Sequence, residues 1–114
     1  MIRLKRVYDE YSIDDGIRIL VERLWPRGIS KEKAHIDIWM KEIAPSTELR
    51  KWFNHEDSKW EEFVQRYKNE LVGNIELEDL RGIVSKNKNV TIIYSSRNKD
   101  HNNAVVLYGM LEPQ

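Results

Sequence analysis

The sequence predicts a small α/β domain in which helices flank a mostly parallel sheet. Residues 90–95 form a short apolar run that is rich in β-branched side chains, which is typical of a buried central strand. A polar loop and then a helical pattern follow that run directly, and this is the order of a doubly wound unit. Upstream, apolar side chains recur at helical spacing over residues 58–72.

Length and composition are those of one folded domain over residues 1–114, with 40% hydrophobic and 33% charged residues. The chain has no cysteine, which excludes disulfides and thiolate chemistry and fits a reducing compartment. No stretch is apolar enough to span a bilayer, and residues 1–8 do not have the pattern of a signal peptide. We therefore expect a cytoplasmic protein.

Two strands are expected near the start of the chain. Residues 2–8 alternate in polarity, which predicts a half-buried strand, and a turn follows at Asp14-Asp15-Gly16. Residues 17–24 are apolar on both faces, which is typical of a strand inside a covered sheet. Their connection is short for parallel neighbours, so the sequence leaves their relative direction open.

The middle of the chain fits two patterns. Within residues 31–45, Ile36, Ile38 and Met40 follow the period of a strand, whereas Trp39 and Ile43 follow that of a helix. The sequence does not decide between them.

Four helices are expected, over residues 46–54, 58–72, 75–87 and 100–111. Each begins at a residue suited to an N-cap, and these are Ser46, Ser58, Asn74 and Asp100. Ser58 and Glu61 have the spacing of a capping box, and Gly73 is suited to end the second helix.

Charge is balanced, with 19 basic and 19 acidic side chains and a formal net charge of zero. A protein that coats DNA is usually basic overall, so strong backbone binding is disfavoured. Local basic clusters remain, one of Arg3, Lys5 and Arg6 and another of Arg97 and Lys99.

Two polar segments, residues 23–28 and 95–103, follow predicted strands. If those strands are parallel, both segments meet beyond the carboxyl ends, where open α/β sheets bind ligands. The last helix would add free N–H groups there, and Arg23 and Arg27 could clamp a phosphate or carboxylate. The alternative is that Arg23 pairs with a structural carboxylate and that Trp25 merely covers the sheet end.

His101 lies in the first turn of the last predicted helix, where the helix dipole favours a neutral ring that could act as donor or base. It could equally hydrogen-bond a loop carbonyl. Asn102 could contact a ligand or finish the helix cap. Serine hydrolysis through Ser95 or Ser96 is disfavoured, because no G-x-S-x-G elbow is present. The three histidines lack metal-site spacing, so no metal is expected, and no cofactor is indicated.

Several motifs in order resemble one known family. They are Asp15-Gly16-x-Arg18, the run from Val21 to Gly28, Asp37-x-Trp39-x-Lys41-Glu42, Leu49-Arg50-x-Trp52-Phe53-x-His55, Trp60-Glu61-x-Phe63 and His101-Asn102-x-Ala104. The chain resembles the YeaO-like branch of the domain-of-unknown-function 488 (DUF488) family over nearly its whole length. The resemblance implies a Rossmann-like fold and supplies no established activity.

The resemblance also suggests where a site lies. Its candidates are Asp37, Lys41 and His101 as catalytic residues, Arg23, Trp25, Arg27, Ser46 and Asn102 as ligand-binding residues, and in addition His55. The chain departs from the family pattern at Glu22 and Asn98, where aspartate is expected. Any thiol chemistry of other branches is not carried over.

Three functions are consistent with the sequence. The first is a small enzyme or ligand-binding protein for an anionic small molecule, such as a nucleotide, in a crevice at the strand ends. The alternative is a nucleic-acid-associated or regulatory binding module without catalysis. A purely structural interaction protein is a third. No membrane association is expected, and the sequence leaves the oligomeric state open.

Overall fold

A computed structural model describes residues 1–111 and shows an α/β fold built on a four-stranded sheet. The strands are β1 (Ile2–Arg6), β2 (Ile17–Leu20), β3 (Ile38–Trp39) and β4 (Val90–Tyr94). The helices are α1 (Lys31–Ala34), α2 (Thr47–Phe53), α3 (Trp60–Glu70), α4 (Ile75–Lys86) and α5 (Asn103–Leu111). The order of the strands is β1-β4-β2-β3, and every neighbouring pair is parallel. The predicted α/β fold class is confirmed.

The position of β4 between β1 and β2 answers the question of strand direction. Val90 of β4 is in register with Ile2 on one side and Ile17 on the other. Since β1 and β2 are not neighbours, their connection crosses the strand between them, and the two strands run parallel. All four strands consequently end at the same edge, which we call the carboxyl edge.

The two faces of the sheet are covered differently. Helices α2 to α5 pack on one face in a core that includes Ile43, Phe63, Tyr67 and Leu107. A smaller cluster centred on Leu20 lies on the other face, under α1 and the loops around it. β4 is buried along its whole length, as its apolar sequence predicts.

The ambiguous middle segment contains both kinds of structure. Residues 31–34 form the single turn α1, capped by Ser30, and residues 38–39 form the short edge strand β3. Strands β1 and β2 end earlier than expected, at Arg6 and Leu20, because the chain leaves the sheet into the loops of the carboxyl edge.

Two of the four predicted N-caps are confirmed and two are wrong. Ser46 and Asn74 accept the expected backbone N–H groups of α2 and α4. Ser58 lies instead within a 3₁₀ turn, so that α3 begins at Trp60 without a side-chain cap. Asp100 also lies before the helix, and Asn102 caps α5 by accepting the N–H of Val105 at 3.0 Å.

A buried ion pair lies near the amino ends of the strands. Asp15 and Arg18 are only 2% and 1% exposed, and their charged atoms are 2.5 Å apart. Arg18 also donates to the carbonyls of Ala34 and His35, and Lys5 donates to Asp15. Each buried charge is therefore paired and hydrogen-bonded, which burial requires.

Gly16 completes the turn that the sequence predicts between β1 and β2. Its φ of 66° is in the left-handed region, and a Cβ atom there would lie 2.0 Å from the carbonyl oxygen of Asn89. Only glycine fits at this position. Within residues 1–111, none of the helices has the length and apolarity needed to cross a membrane.

Candidate functional site

The carboxyl edge joins three loops through one chain of contacts. Arg6, the last residue of β1, donates from Nε to the carbonyl of Ser96 at 2.9 Å. Its guanidinium lies 4.9 Å from the centre of the Tyr8 ring, and the Tyr8 hydroxyl donates to the carbonyl of Arg27 at 2.7 Å. The loops after β1, β2 and β4 are thereby held together. We call Arg6, Tyr8, Arg27 and Arg97 the arginine strip.

The side chains of the arginine strip differ in whether they have interaction partners within the protein. Arg27 and Arg97 are exposed, and neither guanidinium has a hydrogen bond, ion pair or ring contact with another described residue. Arg6 is half-buried and fixed. The nearby carboxylate of Asp9 accepts the backbone N–H of Arg6 at 2.8 Å, which reduces the positive potential of the strip.

The backbone amides before α5 already have acceptors from the chain itself. Asn98 Oδ1 accepts the N–H groups of Asp100 and His101, both at 3.0 Å. Asn102 Oδ1 accepts the N–H of Val105, and Asn102 is only 4% exposed. Part of the anion cradle expected at this helix terminus is therefore filled by internal oxygen atoms, and Asn102 is placed as the helix cap.

His101 connects the loop after β4 to the beginning of α3. Its Nδ1 lies 2.8 Å from Oδ1 of Asp57, which also accepts from the amide of Asn98 at 3.1 Å. The imidazole stacks on Trp60, with ring centroids 4.5 Å apart. With Nδ1 directed at Asp57, Nε2 is the nitrogen left to meet solvent or a ligand.

Arg23 has backbone partners on a different segment. Its guanidinium donates to the backbone carbonyls of Ala44 at 2.9 Å and Pro45 at 3.3 Å. It also donates to the carboxylate of Glu42 at 3.5 Å. No hydrogen bond, ion pair or ring contact within residues 1–111 joins Arg23, Arg27 and His101 to one another. The single crevice expected of these three residues therefore stays a prediction.

Trp25 and Lys41 lie around another tryptophan. Trp25 donates from Nε1 to the carbonyl of Ile29 at 2.8 Å and meets Trp39 edge-on, with centroids 5.4 Å apart. The ammonium of Lys41 lies 4.2 Å from the centre of the Trp39 ring. These contacts cover the face of the sheet that has the smaller hydrophobic cluster, centred on Leu20.

The remaining candidates are spread over the molecule. Asp37 lies at the amino end of β3, where its carboxylate accepts the N–H of Arg18 at 2.9 Å. Ser46 caps α2, and its hydroxyl donates to Glu70 at 2.6 Å. His55 is exposed and has a left-handed φ of 56°. Within the described part of the chain, no hydrogen bond, ion pair or ring contact joins any of the three to the arginine strip.

Glu22 lies between the ends of β2 and β4, where its carboxylate accepts the N–H of Ser95 at 3.1 Å. Burial raises the pKa of Glu22 above its ordinary value, although the Ser95 N–H and the charge of Arg50 act in the opposite direction. The space between these two strands thus disfavours a negative charge, and we do not assign an anion to it.

This shift has a measurable consequence. A raised pKa contributes stability below the unfolded value of 4.5, and the contribution is lost as pH rises through the folded value. The stability of Glu22→Gln relative to the unmodified protein should therefore increase as pH rises from 4.5 through the raised, folded-state pKa of Glu22. Urea unfolding of both proteins across that range tests it, and a difference that is independent of pH would contradict it.

Sequence reasoning missed Tyr8 and Asp57 and did not connect Arg6 with Arg97. The two arginines were seen as members of separate basic clusters, about ninety residues apart along the chain. The signal that could have joined them is the end of β1 at Arg6, but the direction of β1 was open. A parallel β1 places Arg6 beside the loop that follows β4.

Two shallow grooves of about 420 and 440 Å³ lie along α2 and α3, away from the arginine strip. In the part of the chain that the structure describes, no three His, Asp or Glu side chains are grouped to hold a metal ion.

Fold and site together define a small parallel α/β protein with a basic carboxyl edge. The chain belongs to the DUF488 family, since residues 1–114 match the model described as the inactive DUF488-N3 subclade. It is 44% identical to the uncharacterised protein YeaO of Escherichia coli strain K12, over 93% of this chain and 92% of that protein. An uncharacterised protein of Mycobacterium tuberculosis strain H37Rv is 39% identical, over 96% of this chain and 92% of that protein. No solved structure matches the chain.

Proposed function

We propose that this chain binds a phosphate- or carboxylate-bearing small molecule at the arginine strip and does not transform it. The observation that carries the proposal is the pair of exposed guanidinium groups, Arg27 and Arg97, at loops which Arg6 and Tyr8 tie together. Guanidinium groups bind phosphate and carboxylate through paired, charge-assisted hydrogen bonds and stay protonated at any working pH.

Two further observations favour binding without catalysis. The matching family model is described as an inactive subclade. His101 and Asp57 form an acid–base pair near the carboxyl edge, and no hydrogen bond, ion pair or ring contact within residues 1–111 joins this pair to the arginine strip. A base must come within hydrogen-bond reach of the proton that it removes. We also propose that the protein is cytoplasmic, as its sequence predicts.

The decisive experiment compares two arginines that the sequence treats alike. Arg27→Ala should weaken binding of inorganic phosphate roughly tenfold to hundredfold and leave the melting temperature unchanged. Arg23→Ala should do the reverse, because its guanidinium holds the backbone of residues 44–45. Calorimetric titration and thermal unfolding measure both effects. Loss of phosphate binding in the Arg23 variant alone would overturn the assignment.

Asp9 provides a test in the opposite direction. Asp9→Asn removes a negative charge beside Arg6 and keeps an oxygen that can accept its N–H. Phosphate affinity should therefore rise, and the rise should shrink as salt screens the charges. Unchanged or lower affinity would mean that phosphate binds elsewhere.

The nucleic-acid alternative uses the same basic edge and is distinguished by its salt dependence. Neutralisation of several backbone phosphates gives a steep fall of affinity with salt. A single-stranded oligonucleotide that binds more tightly than small phosphates, with such a slope, would favour the alternative. We expect weak oligonucleotide binding, because the chain has no net positive charge.

A further inference from the structure

The Tyr8 ring is the part of the arginine strip that an inorganic anion leaves unused. Tyr8 is 43% exposed, which is high for a large aromatic side chain. One face is covered by the Arg6 guanidinium, and the hydroxyl is fixed on the carbonyl of Arg27. The ring is therefore held in one orientation before any ligand arrives, and little conformational entropy remains to be lost.

We infer that the arginine strip recognises a nucleotide, with the base stacked on Tyr8 and the phosphate on Arg27 and Arg97. The inference rests on the proposed anion binding and adds the second recognition element. The hydroxyl of Tyr8 is bonded to the backbone of Arg27, so the flexible arginine side chain begins beside the edge of the ring. A nucleotide, which joins a planar ring to a phosphate through one sugar, offers one group to each of these two side chains.

The same geometry indicates how selective the site is. The Tyr8 hydroxyl is already donated to a carbonyl, so the ring offers its face rather than a hydrogen-bond donor to the base. Stacking of this kind tolerates every base, because each has a π-face. Purine nucleotides, which have the larger ring system, should bind more tightly than pyrimidine nucleotides.

The test separates the base from the phosphate. Calorimetric titrations of the whole chain compare adenosine 5′-monophosphate with ribose 5-phosphate, which lacks the base. Stacking of one base predicts that the nucleotide binds about 5- to 150-fold more tightly. Tyr8→Leu should abolish this ratio, and Tyr8→Phe should keep it even if both affinities fall together.

Tyr11 supplies a matched control. It is 44% exposed, stacks on His35 and lies outside the arginine strip. Tyr11→Leu should therefore leave the ratio unchanged. Equal binding of both ligands by the unmodified protein, or a ratio that survives in Tyr8→Leu, overturns the nucleotide inference and leaves the anion proposal standing. Failure to bind either ligand or inorganic phosphate overturns both.

Discussion

Arg18→Met will lower the free energy of unfolding by about 3–5 kcal/mol, which is the range for removing one partner of a buried ion pair. The substitution leaves the carboxylate of Asp15, only 2% exposed, with Lys5 as its remaining charged partner. The carbonyls of Ala34 and His35 also lose their side-chain donor. Urea unfolding at neutral pH measures the change.

The matched control is Arg81→Met on α4. Arg81 is 44% exposed and pairs with Glu78 one turn away. Exposed pairs of this kind contribute about 0–1 kcal/mol, so the control should be nearly as stable as the unmodified protein. If both variants lose the same small amount, the buried network does not stabilise the fold as the contacts indicate.

Asp15 makes the same network sensitive to acid. Burial alone would raise the pKa of Asp15, but hydrogen bonds from Lys5, the Ser12 N–H and Arg18 outweigh it and hold the pKa below its ordinary value. A lowered pKa contributes stability above the unfolded value of 3.8, and the contribution is lost as pH falls through the folded value. Arg18→Met should reduce that acid-dependent part of the stability.

The sequence correctly predicted the elements whose hydrophobic pattern fits only one kind of secondary structure. β4 is apolar on both faces, and α3 repeats its apolar residues every three or four positions, so both were placed correctly within two residues or so of their ends. Ser58 was misleading, because its spacing to Glu61 is that of a capping box. In the structure it lies in a 3₁₀ turn, which positions Asp57 against His101 and Asn98.

The candidate site was predicted by position rather than by contact. Strand order places the carboxyl edge, and the sequence found Arg27 there. It could not assign the partner of Arg23, because the carbonyls of Ala44 and Pro45 lie about twenty residues away and carry no side-chain signal. Nor could it show that the side-chain oxygens of Asn98 and Asn102 accept hydrogen bonds from backbone N–H groups around the last loop, since such capping depends on the path of the backbone.

These contacts divide the arginines into two groups. The guanidinium groups of Arg18 and Arg23 donate to carbonyls and carboxylates of the chain itself, so substitution of either residue should lower the stability of the fold. Arg27 and Arg97 have no partner in the part of the chain that the structure describes, so their loss costs the fold nothing that the contacts show. A ligand-binding role for the second kind is therefore separable by experiment from a structural role.

The double variant Arg27→Ala with Arg97→Ala gives the largest expected change in binding. Loss of two charge-assisted hydrogen bonds should reduce phosphate affinity roughly a hundredfold to ten-thousandfold. The melting temperature should stay the same, because neither guanidinium has a hydrogen-bond or ion-pair partner within residues 1–111. Calorimetric titration and thermal unfolding of the same preparation measure both.

A second double variant controls for net charge. Arg66→Ala with Arg81→Ala also removes two exposed arginines, but from α3 and α4, where each pairs with a glutamate of its own helix. If phosphate were attracted only by overall charge, both double variants would lose affinity equally, and more so at low salt. Affinity that falls only when Arg27 and Arg97 are removed would place the anion at the arginine strip, and equal losses would remove the case for a site there.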